Sequence, residues 1–183
     1  MSLQLYIGPM FAGKSTTLLN IIKRNKFMSI PTFCITSSLD TRWDDKDISI
    51  TSHTGEKCAA SSTKFLMDLK LHPNYKTAKC IIIEEAQFFS DLKEFVLHAV
   101  EVDEKDVVCA GLDGDSLRRP FGQILDLIPY CNSVTKLNAK CAQCKNNGVF
   151  TFRKSQANTS QVMVAGADEY EPLCRKHYLE NSS

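Results

Sequence analysis

A surplus of charge of either sign is what this chain most plainly lacks: 22 Lys and Arg stand against 21 Asp and Glu over 183 residues, a net charge of +1. A protein whose main task is to grip nucleic acid carries a basic face, so this balance argues against a large polyanion as principal partner. Long apolar runs are missing too, and none approaches the ~18–20 residues of a membrane span. Met1 leads into "LQLYIG" without a basic segment, a long apolar core or a small-residue cleavage pattern. No export signal is expected, and the expected location is the cytoplasm. Internal repeats and low-complexity segments are absent. What remains is 43% hydrophobic and 23% charged, the composition of an ordinary globular protein with one main core of ~100–200 residues and a small appendage.

Residues 3–8 read as a short buried strand feeding a glycine turn. Beyond it, Leu18, Leu19, Ile21 and Ile22 recur at helical spacing over Lys14 to Lys26. Further strands are predicted at "TFCIT" 32–36, "KCIIIEEA" 79–86 and "VVCAGL" 107–112, and "NSVTKL" 132–137 is placed to close the sheet. Apolar runs of this kind suit a mainly parallel sheet covered on both faces, hence an α/β class. Leu92, Phe95, Val96 and Ala99 predict a crossover helix over 90–100 with Ser90 as its N-cap. His98 on that helix is expected at the surface. The polar stretch 39–62 lacks clear periodicity and reads as a long connection with room for a hairpin. From Asn138 the texture changes to paired cysteines, polar turns and short strands such as "GVFTF" and "QVMVA", so a boundary is expected between an α/β domain at 1–137 and a small lobe at 138–183.

"GPMFAGKST" comprises Gly8, Pro9, Met10, Phe11, Ala12, Gly13, Lys14, Ser15 and Thr16, and fits the phosphate-loop pattern G-x-x-x-x-G-K-[ST]. Glycines let successive backbone N–H groups turn toward phosphates, the following helix offers its positive end, Lys14 reaches the terminal phosphates and Ser15 ligates magnesium. Such a loop needs an acidic residue at the end of a neighbouring strand to orient the metal. "IIIEEA" supplies Glu84 and Glu85, expected to alternate in direction as strand residues do, one toward the metal and one toward an acceptor. Asp40 and Arg42 in "DTRW" add a carboxylate and a guanidinium suited to magnesium and to phosphate charge.

Of the eight cysteines, Cys34, Cys80 and Cys109 lie in strand-like runs where free cysteine packs as a small hydrophobe. Cys141, Cys144, Cys174 and His177 form a C-x₂-C … C-x₂-H set, which gives zinc three thiolates and one imidazole in a closed, structural site. A redox dithiol at Cys141 and Cys144 is the rival reading, and it leaves the second half-site unexplained.

Taken together, "GPMFAGKST", "DTRW", "IIIEEAQFF", "LDGDSLRRPFGQILDLIPY", the two cysteine half-sites and "VAGADEY" resemble the zinc-containing thymidine kinases of poxviruses, bacteria and animal cytosol over nearly the whole chain. The resemblance implies transfer of the γ-phosphate of ATP to the 5′-hydroxyl of thymidine, and of deoxyuridine as well, to give the monophosphate for DNA precursor salvage. It makes Glu85 the general base and Glu84 the metal-orienting residue. Lys14, Ser15, Asp40, Thr41, Arg42 and Gln87 complete the ATP and magnesium environment. A lasso between the zinc half-sites is implied to hold the pyrimidine through the main chain of Gln161, Val162, Met163, Val164 and Ala165, with Tyr170 closing over it. Met10, Phe88, Leu112 and Phe121 form the apolar wall, although core packing is the alternative for Phe88, Phe121 and Tyr170. Tyr170 sits in the polar stretch "GADEYE", which makes it the hardest of the three to bury.

A homotetramer or dimer with feedback inhibition by thymidine triphosphate is likewise implied by resemblance, while the charge balance and the short apolar runs lead us to expect no nucleic-acid or membrane partner. Three positions depart from the family pattern: Glu84 stands for the usual Asp, Ser116 for an aromatic beside the base, and Ala165 for Gly. Two rival functions are a phosphate-loop motor, which would need a second motor domain or a basic track, and a zinc ribbon that reads nucleic acid through Lys136, Lys140, Lys145 and Lys154.

Overall fold

The computed structural model describes residues 1–38, 48–52, 55–155 and 169–182. Strand β1 (Ser2–Ile7) runs through the glycine loop into helix α1 (Lys14–Phe27) and then β2 (Thr32–Ser37). A hairpin of β3 (Ser49–Thr51) and β4 (Lys57–Ala59) follows, then β5 (Ser61–Thr63). A 3₁₀ segment (Leu66–Leu71) and α2 (Pro73–Thr77) lead to β6 (Cys80–Ile83), a 3₁₀ turn (Ala86–Phe88) and α3 (Leu92–Leu97), which widens into a π turn (His98–Val102). After β7 (Asp106–Gly111), another 3₁₀ segment (Ile124–Tyr130) and β8 (Ser133–Lys136), the chain forms β9 (Ala139–Lys140), β10 (Asn147–Gly148), β11 (Phe150–Arg153), β12 (Tyr170–Leu173) and α4 (Arg175–Asn181).

Six strands form one sheet in the order β5-β2-β6-β7-β1-β8, and every neighbouring pair is parallel. Strand periodicity sorts its side chains between two faces. Leu3, Leu5, Ile7, Phe33, Ile35, Ile81, Ile83, Val107 and Cys109 pack with Leu92, Phe95, Val96 and Ala99 of the α3 segment. The opposite face sets Cys34, Cys80, Ile82, Val108 and Ala110 against Leu18, Leu19 and Ile21 of α1 and Ile50 of the hairpin. Both faces are covered, which is why the central strands read as unbroken apolar runs. Burial pushes the Cys80 thiol up to about 11 and raises Cys34 and Cys109 further, so these cysteines behave as inert core residues.

The strands predicted at 3–8, 32–36, 107–112 and 132–137, together with "GVFTF" and α1, stand within a residue or two of their expected bounds, whereas β6 ends at Ile83 instead of at residue 86 and "QVMVA" lies outside the described residues; three further local differences follow. Ser90 does not cap α3. That position falls to Asp91, whose Oδ2 accepts the Met67 amide at 2.9 Å and so fastens the helix start to the 3₁₀ segment Leu66–Leu71. His98 is half-buried and bonded: Nδ1 lies 3.2 Å from Asp103 Oδ2 and Nε2 lies 2.7 Å from Lys70 Nζ. Burial opposes the Asp103 charge, but the Tyr75 hydroxyl, His98 and Lys70 outweigh it and hold that carboxyl below its ordinary value. Strand β5 carries no strand signal of its own, because Ser61–Thr63 is short, polar and at the sheet edge.

Candidate active site and metal centre

In a parallel sheet all strands end on one side, and ligands bind in the crevice outside those carboxyl ends. The glycine loop leaves the end of β1, Glu84 and Glu85 leave β6, and Leu112 follows β7. Since β7 lies between β1 and β6, the loop and the acidic pair face each other across two strand spacings, about 10 Å. That leaves room for a phosphate chain between them.

Gly8 adopts φ 150°, and a Cβ there would run into the backbone carbonyl of Leu137. Phe11 and Gly13 are also left-handed, at φ 63° and 83°, the kind of local conformation from which anion-binding nests are built. Helix α1 starts directly after Gly13 with no acidic residue in its first turn, leaving its positive end uncompensated toward the loop. Lys14 Nζ lies over the loop and donates to Gly8 O at 3.2 Å and to Pro9 O at 2.7 Å. Ser15 is half-buried and Thr16 exposed at the same helix start. These residues fit a nucleoside triphosphate: they supply backbone donors, a dipole and one ammonium. Gly8→Ala is expected to cost about 1–3 kcal/mol of stability through the overpacked contact and to raise the KM for ATP. An unchanged melting temperature would remove the steric argument.

Glu84 and Glu85 do not alternate as strand residues. Strand β6 ends at Ile83; the Glu84 amide still donates to Ile35 O at 2.9 Å, and Glu85 then turns left-handed at φ 51°, ψ 42° as the N-cap of the 3₁₀ turn. Such a conformation costs a non-glycine residue about 1–2 kcal/mol. It redirects the second of two adjacent carboxylates that a continued strand would send to opposite faces. Glu84 is buried and Glu85 half-buried. Gln87, buried, donates from Nε2 to Glu85 Oε2 at 2.6 Å and accepts the Leu112 amide on Oε1 at 3.0 Å.

Of the apolar-wall candidates, Phe88 and Phe121 meet edge to face with centroids 5.6 Å apart, and Phe121 is buried while Phe88, Met10 and Leu112 are half-buried. Tyr170 departs from expectation. It is buried at 8% exposure on β12, with its hydroxyl accepting from Arg153 at 3.0 Å. Pairing of Arg153 with Tyr170 across β11 and β12 brings the two together, which a polar flanking sequence does not reveal.

Cys141, Cys144, Cys174 and His177 converge, with their ligand atoms all within 4.8 Å of one another. A tetrahedral zinc with ordinary bond lengths sets two sulfurs ~3.8 Å apart and a sulfur and nitrogen ~3.5 Å apart. Here Cys144 Sγ and Cys174 Sγ are 3.9 Å apart, and Cys141 Sγ and Cys174 Sγ are each 3.4 Å from His177 Nδ1. The donor set therefore fits zinc. Burial raises the Cys141 thiol, but the backbone amides of Cys174, Cys144 and Gln143 and the His177 ring overcome it and bring the pKa down to about 6. A thiolate is the form that binds metal. The half-sites come together because the β9–β10 turn carries the first pair and the start of α4 the second, and they share a small core with Leu173, Tyr178 and Phe150.

Three contacts that sequence reading missed join this lobe to the sheet. The Met10 amide donates to Thr151 Oγ1 at 3.0 Å, linking the glycine loop to β11. The Tyr178 hydroxyl donates to Ser116 O at 2.6 Å. Arg118 lies over the Tyr178 ring at 4.7 Å. The buried carboxylate of Asp115 holds this connection in shape, accepting from the amides of Leu117 and Arg119 and from Arg119 Nε at 2.7 Å. Only the "DGDS" turn composition hinted at Asp115. Asp40, Thr41 and Arg42, and the lasso residues Gln161, Val162, Met163, Val164 and Ala165, lie outside the described residues.

Comparison with known proteins places these features in one context. The family model described as thymidine kinase matches residues 1–178. The chain is 43% identical over 181 residues to thymidine kinase a of Arabidopsis thaliana, covering 96% of this chain and 74% of that one. It is 34% identical over 181 residues to the cytosolic thymidine kinase of Homo sapiens, covering 99% of this chain and 74% of the human one. To the thymidine kinase of Rabbit fibroma virus it is 34% identical over 177 residues, covering 97% of this chain and 96% of the viral one.

Proposed function

The chain belongs to the thymidine kinase family, and on that premise we propose how its residues carry the family's reaction. The enzyme transfers a phosphoryl group to thymidine, giving dTMP for nucleotide salvage. Phosphoryl transfer asks a protein mainly for positioning and charge stabilisation. The glycine loop from Gly8 to Thr16 holds the triphosphate of ATP, with Lys14 on the terminal phosphates and Ser15 on magnesium. Magnesium, when bound, would supply positive charge to offset the charge that develops on the phosphates. Glu84 orients it, with Asp40, Thr41 and Arg42 adding charge from the neighbouring segment.

Glu85 is the general base. Its left-handed turn takes the carboxylate out of the strand direction and Gln87 holds its Oε2; the carboxylate accepts the proton of the attacking 5′-hydroxyl. Met10, Phe88, Leu112 and Phe121 wall the nucleoside, and the main chain of Gln161 to Ala165 reads the pyrimidine. Tyr170, implied by resemblance to close over the base, has its hydroxyl held by Arg153.

Zinc on Cys141, Cys144, Cys174 and His177 joins the half-sites that flank the lasso. A division at 1–137 and 138–183, a tetrameric or dimeric assembly, inhibition by thymidine triphosphate and a cytosolic location are further parts of this reading. No described helix is long and apolar enough to cross a membrane.

The observation that carries the reading is the family match across residues 1–178, which takes in the glycine loop, the acidic pair and all four candidate zinc ligands. The test is an assay of purified protein with magnesium and ATP against the four common deoxynucleosides and uridine, scoring nucleoside monophosphate and ADP together. Selective dTMP with matching ADP is expected. Phosphorylation of another nucleoside in preference would shift attention to Ser116 and Ala165, and ADP without a nucleoside product would contradict the reaction.

A further inference from the structure

We propose that Gln87 is a positioning residue that orients the Glu85 carboxylate, rather than a contact to ATP; the proposal rests on Glu85 as the base. The amide's orientation is settled by its other partner. The Leu112 N–H can only donate, so the group it meets at 3.0 Å is Oε1, and Nε2 faces Glu85 Oε2 at 2.6 Å. One carboxylate oxygen is thereby held by a donor that cannot exchange roles, which restrains the group that is to take the proton.

Two glycines in separate segments clear the space that this arrangement fills. A Cβ at Gly111 would come within 2.6 Å of Gln87 Oε1, and one at Gly122, itself left-handed at φ 62°, would run into the Gln87 backbone carbonyl. Gln87 is 3% exposed. A long polar side chain is buried at that level when its donors and acceptors are satisfied, and here both ends of the amide have named partners. The side chain thus ties the residue after β7, on the apolar wall, to the carboxylate after β6. That carboxylate stands on a left-handed turn beyond the end of its strand, and misplacement of a reacting group by an ångström can cost about a hundredfold in rate.

The test is a double-mutant cycle read in steady-state kinetics. Gln87→Glu, the first variant, keeps an acceptor for the Leu112 amide while removing the donor; Gln87→Met, the second, removes both groups. Each is expected to lower kcat by about 10–100-fold, with KM for thymidine and for ATP within about threefold. In a Glu85→Gln background the further loss on Gln87→Met should shrink to under about twofold, because there is no base left to position. Gly111→Ala, which crowds the amide without changing its chemistry, should lower kcat in the same way if Gln87→Met melts too low to assay.

A raised KM for ATP with kcat retained would overturn the proposal in favour of a nucleotide contact. An equal loss in both backgrounds would overturn it in favour of a merely structural role. If Glu85→Gln alone kept wild-type turnover, the base assignment would fall, and this is distinguishable because it is read before any change at Gln87.

Discussion

Glu85→Gln is expected to lower kcat by about 10²–10⁴-fold, the usual contribution of a positioned general base, while ATP and thymidine still bind. The substitution preserves shape, and the new amide can accept the Gln87 Nε2–H through its carbonyl oxygen, so the hydrogen bond seen at 2.6 Å survives. What is lost is the capacity to take a proton. Initial rates of dTMP formation, together with calorimetric titration of each substrate, separate the two effects. Turnover within severalfold of wild type would remove Glu85 as the base and direct attention to Glu84, which is buried one residue earlier. A collapse of substrate binding along with turnover would instead mean that the left-handed turn at Glu85 depends on the charge.

Cys174→Ser should have the second large effect, and at a different place. Removing one of four ligands is expected to weaken zinc binding by at least about 10–100-fold, and mass spectrometry under native conditions should report a protein without metal. The lobe has a core of only a few residues, chiefly Cys141, Leu173 and Tyr178 with half-buried neighbours. A core that small depends on a staple. The KM for thymidine should therefore rise by about tenfold or more, ahead of any change at the glycine loop. Chelation of the wild-type protein should reproduce the effect, with recovery on adding zinc. Full zinc occupancy in Cys174→Ser would contradict the joining of the two half-sites.

Much of this architecture is legible in the sequence because parallel strands buried on both faces must be apolar throughout. The runs around Ile81 to Ile83 and Val107 to Ala110 leave little choice of element or environment. The glycine loop and the four candidate zinc ligands are legible for another reason: their chemistry fixes both residue type and spacing. What stays hidden depends on partners distant in sequence. Edge strand β5 draws its hydrogen bonds from β2 rather than from any local pattern. The left-handed turn at Glu85 is invisible because glutamate gives no sign of it, and a strand continuing through both glutamates is the simpler expectation. Tyr170 looks exposed from its neighbours but is buried by Arg153, which lies 17 residues away. Gln87 shows its role only once Leu112, Gly111 and Gly122 are folded around it.

The hydrogen bond from the Met10 amide to Thr151 Oγ1 bears on how this chain can vary over generations. One amide of the glycine loop is committed to a hydroxyl supplied by β11, so the loop and that strand are not free to diverge separately. Replacing Thr151 by an aliphatic residue would leave a loop amide without its acceptor. Across descendants the position should alternate between threonine and serine, and a lobe transplanted from a distant relative should function only if it brings an acceptor of that reach.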